Sequence, residues 1–410
     1  MHLSAKLLGL GTESAFHVLA HARRLEAMGR DIIHLELGEP DFPTPSHIVE
    51  AGVSALRDGA TKYAPAAGLP PLREAIAANA RRRGLSVTPD RVIVASGAKP
   101  VLFYALVGLL EPGAEALVPD PGFPIYASVV QFAGARPVPY PVEPEQGGTL
   151  DLERLASLVT PRTRVLVLNT PHNPTGIILD AVTLAGLVEL VQRHNLTVIS
   201  DEIYSELTFD DALPSIAALP GMLPRTVVVD GFSKTYAMTG WRLGYGIMPP
   251  ELARRIERLI INTTSCAPPF VQRAGIAALT GPQDCVRVMR DEYRRRRDLL
   301  VGGLNALTGI SCSVPQGAFY AFPNVSQLLT ALGLTTEIFA EVLLEEYGLA
   351  CLAGTAFGER GRGHLRFSFV TSLPVLERAL ATLQDASPAA WRAPVPERIS
   401  VAPVSDDDGA

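Results

Sequence analysis

Hydrophobic positions along the chain gather in short β-branched runs that stop at polar or glycine-rich turns: Arg91 to Ala95, Ala116 to Val118, Arg164 to Leu168, Thr197 to Ser200, Thr226 to Val229 and Leu243 to Ile247. Between several of them apolar residues recur at helical spacing, as in Leu102 to Leu110 and Leu184 to His194. Strands alternating with helices predict an α/β fold with a mostly parallel sheet wrapped by helices. In such sheets ligands settle beyond the carboxyl ends of the strands, so the residues after each strand are where chemistry is expected. From about Pro282 the pattern changes to a long charged helix, Asp284 to Leu307, then the segment Gly317 to Pro323 and a helix from Thr336 to Tyr347. The change predicts a large domain over 47–283 and a smaller one over 284–385, joined by the N-terminal segment 1–46. Residues 386–410 are rich in Pro and Ala and close with Asp406, Asp407 and Asp408, a composition that reads as a tail without its own core.

Composition narrows the function classes. A chain of 410 residues with 47 % apolar residues can bury a core in each of two domains. Its net charge of -6 offers no general attraction for phosphate backbones or anionic lipid, so no nucleic-acid and no membrane partner is expected; small molecules or a second copy of the chain are. Cys266, Cys285, Cys312 and Cys351 stand far apart with no CxxC pair, which points to reduced thiols and to no metal site. Met1 to Gly11 lacks an apolar leader core and no run of about 18 apolar residues occurs, so the expected compartment is the cytoplasm. Of 36 basic residues only Lys6, Lys62, Lys99 and Lys234 are lysines, which matters once a reactive amine is sought.

The residues that follow the strands supply the needs of one cofactor. Gly97 and Ala98, at the mouth of the Leu102 to Leu110 helix, can offer backbone N–H groups to a phosphate, with Lys99 in the same loop. Ser233 and Arg242 add a hydroxyl and a planar cation. Pyridoxal phosphate acts as an electron sink only while its ring nitrogen is protonated, and a carboxylate such as Asp201 stabilises that charge. Asn173 and Tyr204 suit its phenolic oxygen, and Phe123 can stack on its face. Lys234 is the candidate amine that bonds the cofactor aldehyde and then moves a proton. Each signal alone is weak, since Asp201-Glu202 reads more readily as a solvated strand end and the NPTG segment as a turn. Their order along the chain carries the information.

Eight stretches taken together resemble the class I/II aminotransferases, pyridoxal-phosphate enzymes of fold type I. They are LELGEPDFPTP from Leu35, KYAPAAGLPPLREAIA from Lys62, SGAK from Ser96, NTPHNPTG from Asn169, SDEIYSEL from Ser200, FSKTYAMTGWRLGY from Phe232, PQGAFYAF from Pro315 and HLRFSFV from His364. The resemblance runs from about Glu13 to about Leu383, and the SKTYAMTGWRLGY stretch is its most specific part. It implies a large domain on a mostly parallel seven-stranded sheet flanked by helices, plus a smaller α+β domain built from both chain ends. It implies that Lys234 carries the cofactor as a Schiff base, with Asp201 at the ring nitrogen, Asn173 and Tyr204 at the phenolic oxygen, Ser233 and Arg242 at the phosphate and Phe123 over the ring. Tyr63 resembles a tyrosine that reaches the neighbouring subunit's cofactor, which implies a homodimer. Arg366 matches the arginine that clamps the substrate α-carboxylate, and Gly38 the loop that closes over the substrate. Phe16 and His17 fall on the segment that approaches the substrate side chain, and Phe16 hints at a mainly apolar pocket. No clear second arginine for a distal carboxylate is present, so a dicarboxylic donor is not favoured.

The implied reaction is a ping-pong transfer of an amino group between an L-amino acid and a 2-oxo acid. A lyase, decarboxylase or oxidase on the same scaffold is the alternative. A cofactor-sensing regulator would need a DNA-binding domain ahead of Leu35, where only 34 residues stand. The run Arg294 to Arg297 reads as a solvated helix face, His172 as a residue shaping its turn, Lys99 as a loop residue that rivals Lys234, and Gly358 to Gly363 as a flexible turn.

Overall fold

The computed structural model describes residues 3–8, 10–210 and 214–386. The sequence-derived tail therefore lies, from residue 387 onward, outside the described residues. Seven strands form the main sheet: β1 (Val92–Ala95), β2 (Glu115–Asp120), β3 (Arg136–Pro141), β4 (Thr163–Asn169), β5 (Thr197–Asp201), β6 (Thr226–Gly231) and β7 (Gly244–Ile247). Their order is β1-β7-β6-β5-β4-β2-β3, with β7 antiparallel to both neighbours and every other pairing parallel.

Six of these strands coincide with the β-branched runs, and β3 does not. Its sequence, RPVPYP, places prolines at 137, 139 and 141, a pattern that argues against a strand. As the edge strand it tolerates them: Arg136 donates its N–H to the carbonyl of Ala114, so the alternate proline positions are those with no ladder bond to give. Along β4 the side chains alternate between two cores. Val165 and Val167 pack with Val101, Val229 and Ile256, under the helices Ala98–Leu109 and Pro250–Thr263. Leu166 and Leu168 pack with Leu117, Leu187 and Val198, under the helix Ala181–Arg193. A sheet covered on both faces needs apolar residues at every position, which explains why its strands read as continuous runs.

A separate core joins the two chain ends. Ile33 and Leu35 are buried with Leu300, Phe319, Phe339, Leu349 and Phe367. Ile33–His34 pairs in parallel with Leu349–Ala350, and Leu365–Ser368 lies between Leu352–Ala353 and Tyr320–Ala321 in an antiparallel sheet. The long helix Asp284–Ala306 packs here, and it corrects one expectation. Four consecutive arginines span a full turn, so some must face inward; Arg296 and Arg297 are buried. Arg296 bonds Asp41 at 2.8 Å and Glu292 at 3.0 Å, and Arg297 donates to the carbonyl of Pro315 at 3.0 Å. The Gly358 to Gly363 turn is likewise fastened, because the Arg360 N–H donates to Asp120 Oδ1 at 3.1 Å.

Behind the strand tips one cation holds two buried acids. Arg83 reaches Glu202 at 2.5 Å and Asp230 at 3.0 Å, while Tyr245 donates to Asp230 at 3.0 Å and Ser200 to Glu202 at 2.9 Å. The node ties β5, β6 and β7 together; burial still pushes Asp230 up to about 7 despite the arginine. Removing one partner of a buried ion pair leaves the other charge uncompensated. Arg83→Ala is therefore expected to lower stability by about 3–5 kcal/mol in urea unfolding; a loss within about 0.5 kcal/mol, the range of an ordinary surface change, would refute this account of the node.

Candidate active site

The register of the parallel strands sets the site. Asn169 of β4 stands beside Asp201 of β5, and Asp201 beside Val229 of β6, so the segments that follow all emerge at one edge. Beyond that edge lies a cavity of about 510 Å³. Its walls hold Phe16, Gly38, Ala98, Lys99, Phe123, Asn173, Asp201, Tyr204, Ser233, Lys234, Arg242 and Arg366, all of them sequence-derived candidates. Gly97 stands just behind the wall. Tyr63 is the exception, being 89 % exposed and absent from its own chain's cavity.

At one end the helix Ala98–Leu109 opens toward the cavity, with Gly97 as its N-cap at φ 111°. A Cβ at residue 97 would come within 2.5 Å of Arg242 Nη2, and one at residue 244 within 2.3 Å of the Ala98 nitrogen. Both glycines are therefore needed for the close approach of β7, the helix start and the guanidinium. Arg242 donates to the carbonyl of Thr239 at 2.8 Å, and the Ser233 hydroxyl lines the same end. A helix N-terminus, an arginine and a hydroxyl converging in this way make an anion-binding cradle that fits a phosphate.

On the floor Asp201 is buried, and burial lifts its carboxyl to about 6 while the hydrogen bond from Tyr126 opposes the shift. Tyr126 donates to Asp201 Oδ2 at 2.7 Å. The sequence reading did not single out Tyr126, although it sits three residues after Phe123 and its ring meets that of Phe123 edge-on at 5.6 Å. Lys234 lies in the turn after β6, partly buried; burial lowers its ammonium to about 8, with Glu39 opposing. Its Nζ donates to the carbonyl of Gly38 at 2.6 Å, a bond between residues 196 apart. Asn173 is fixed through its backbone N–H, which donates to Asn169 Oδ1 at 2.8 Å. Tyr204 shares a hydrogen bond of 2.8 Å with the hydroxyl of Tyr320. Tyr320, also missed from the sequence, fills the space that a side chain at Gly38 would need, its hydroxyl 2.0 Å from the hypothetical Cβ. Its signal was present in the PQGAFYAF stretch.

The opposite end belongs to Arg366. It is buried, donates Nη2 to the carbonyl of Glu36 and Nη1 to Asn173 Oδ1 at 3.4 Å, and lies over the rings of Tyr320 at 4.5 Å and Phe357 at 5.0 Å. Its Nε is buried without a hydrogen-bond partner. A guanidinium close to two rings, with a donor still unspent, suits a planar carboxylate. Lys99 turns its side chain to Glu13, with its ammonium 5.5 Å from the Phe123 ring centre. His172 is buried, shares a 2.8 Å hydrogen bond with Thr175 Oγ1, and burial lowers it to about 3. It is thus a neutral ring inside its turn.

A lysine amine, a buried acid and an anion cradle within one cavity fit a phosphorylated pyridine aldehyde, and an arginine facing them fits the carboxylate of an amino acid. Comparisons with known proteins agree. The model of the family "Aminotransferase class I and II" matches residues 30–383. The chain is 40 % identical to the arginine–pyruvate transaminase of Pseudomonas aeruginosa over 86 % of its length and 88 % of that protein. It is also 40 % identical to the aspartate/prephenate aminotransferase of Cereibacter sphaeroides, over 93 % of this chain and 98 % of the other. Among solved structures, the aspartate aminotransferase of Thermus thermophilus with maleate superposes with a TM-score of 0.89 at 38 % identity, covering 94 % of this chain and 99 % of that one. With family model, relatives and fold in agreement over nearly the whole length, the chain belongs to the class I and II aminotransferases.

Proposed function

We propose that the cavity around Lys234 is where this aminotransferase moves an amino group between an L-amino acid and a 2-oxo acid, the two substrates taking turns in one site. The observation that carries the reading is the meeting of Lys234, Asp201 and Arg366 in one cavity. Pyridoxal phosphate, the cofactor of this family, supplies when bound an aldehyde that accepts the amino group and a ring that draws electrons from the substrate Cα. Ser233, Arg242 and the N–H groups of Gly97 and Ala98 hold its phosphate in this reading, Asp201 its ring nitrogen, and Asn173 and Tyr204 its phenolic oxygen.

The chain's own groups then have separate tasks. Asp201 is a carboxylate placed where water is excluded, so a protonated ring nitrogen gains a nearby counter-charge that bulk solvent would screen. Tyr126 keeps that carboxylate ionised by donating to it. Lys234 Nζ, with its lowered affinity for protons, serves as base toward the substrate Cα hydrogen near neutral pH. Arg366 grips the α-carboxylate and so fixes which substrate bond faces the amine. Phe16, Leu37 and Phe123 line the cavity and give the substrate side chain a mainly apolar wall.

The reading extends to the assembly and its compartment. Tyr63, exposed and outside its own cavity, reaches the cofactor phosphate of a second copy in a homodimer, and the four cysteines are free thiols suited to the cytoplasm. Among the described residues no single helix is long and apolar enough to cross a membrane.

Three outcomes are expected. Lys234→Ala abolishes turnover, while Arg366→Ala raises KM for both substrates about a hundredfold and spares kcat more, the loss of roughly two charge-assisted hydrogen bonds; a near-normal rate for Lys234→Ala in steady-state kinetics would contradict the assignment. A lysine must be neutral to attack an aldehyde, so the rate at which apoenzyme recombines with pyridoxal phosphate should climb as pH rises through about 8 and level off above it; stopped-flow absorbance showing the climb still unfinished near pH 10 would mean that burial does not lower the amine. Sedimentation equilibrium should give twice the mass of one chain, and a monomer that retains full activity would remove the role given to Tyr63.

A further inference from the structure

Among the described residues the cavity wall carries four cations, and three have tasks in the reading above: Lys234, Arg242 and Arg366. The fourth, Lys99, stands at the mouth with its side chain 46 % exposed. Its ammonium lies between two aromatic rings, 5.8 Å from the centre of Phe16 and 5.5 Å from that of Phe123. The ion partner is Glu13, the residue before the helix Ser14–Ala27, whose carboxylate is only 18 % exposed and itself lines the cavity. The chain thus places one of its own carboxylates on the wall cation to which the reading above gives no task.

We propose that Glu13 is a specificity-determining residue, its carboxylate occupying Lys99 and so reserving the side-chain pocket for amino donors with uncharged, apolar side chains. The inference rests on the amino-transfer reading for the word donor, and on the Glu13–Lys99 contact for the selectivity. A donor with a side-chain carboxylate must displace Glu13 from Lys99 and then share the mouth with a second negative charge. A donor with a side-chain cation finds Glu13 already neutralised and Lys99 exposed beside it. An apolar side chain needs neither change and meets Phe16 and Phe123. Glu39, also an acid on the wall, accepts a hydrogen bond from Thr239 and adds no attraction for an anion.

The test compares holoenzymes carrying wild-type Glu13, Glu13→Gln, and Glu13→Gln together with Lys99→Met. The ratio of kcat/KM for aspartate to that for leucine should rise about fivefold in Glu13→Gln, as a freed, half-exposed cation gains one ion pair worth roughly that factor, and should fall back in the double variant. Calorimetric titration with succinate and with isovalerate, which bind without turnover, should show the same gain for succinate alone. A ratio that stays within about twofold in Glu13→Gln, or a gain that persists without Lys99, overturns the proposal. If no donor is turned over yet succinate binding improves as described, the selectivity stands and amino transfer falls. If turnover is brisk and succinate gains nothing, amino transfer stands and the role of Glu13 falls. Glutamine keeps the shape of glutamate, and the isovalerate titration reports whether each variant still forms the cavity.

Discussion

Keeping a carboxylate ionised where water cannot reach it is the constraint around which this molecule is arranged. Asp201 closes a central strand, so both faces of the sheet and its neighbouring strands shut out solvent, and burial lifts its carboxyl to about 6. A bare charge there would be costly. The Tyr126 hydroxyl offsets part of that cost, and a cationic ring nitrogen would offset more, so Asp201 favours a cationic partner. Lys234 shows the mirror image: the same burial that raises an acid lowers an amine, so in the proposed reading one cavity yields both the counter-ion and the base.

The protein meets this constraint with a rigid frame. Parallel register brings Asn169, Asp201 and Val229 level, and the Arg83 node locks β5, β6 and β7 from the side away from the cavity. Glycines at 97 and 244 let a helix end, a strand and a guanidinium approach more closely than any side chain would permit. The substrate end is built differently. Arg366, Tyr320 and Gly38 come from segments packed in the core that unites the two chain termini, a core that Tyr204 also joins.

How much of this was legible in the sequence depended on the range of the interaction. Six strands announced themselves because a doubly covered sheet demands unbroken apolar runs, and the polar clusters after them gave Asp201, Asn173, Lys234 and Arg242 directly. The proline-studded β3 stayed hidden, since only its place at the sheet edge makes it permissible. Arg296 and Arg297 looked solvated because a charge run reveals nothing of its partners until Asp41 and the Pro315 carbonyl are brought to it from distant parts of the chain. Tyr126, Tyr320 and Glu13 escaped for the same reason: each matters through a partner far along the chain, 75, 116 or 86 positions away.

The distance in sequence between cooperating groups also governs when the pocket can exist at all. Lys234 rests on the carbonyl of Gly38, 196 residues earlier, and Arg366 on that of Glu36, 330 residues earlier. Closing loops of that size comes late, after local helices and neighbouring strands have formed. While the chain is still leaving the ribosome, its central sheet can assemble, but the carbonyl of Glu36 has no guanidinium to meet until Arg366 emerges. In the proposed reading, newly made protein is thus catalytically silent until Glu36 and Gly38 have met Arg366 and Lys234.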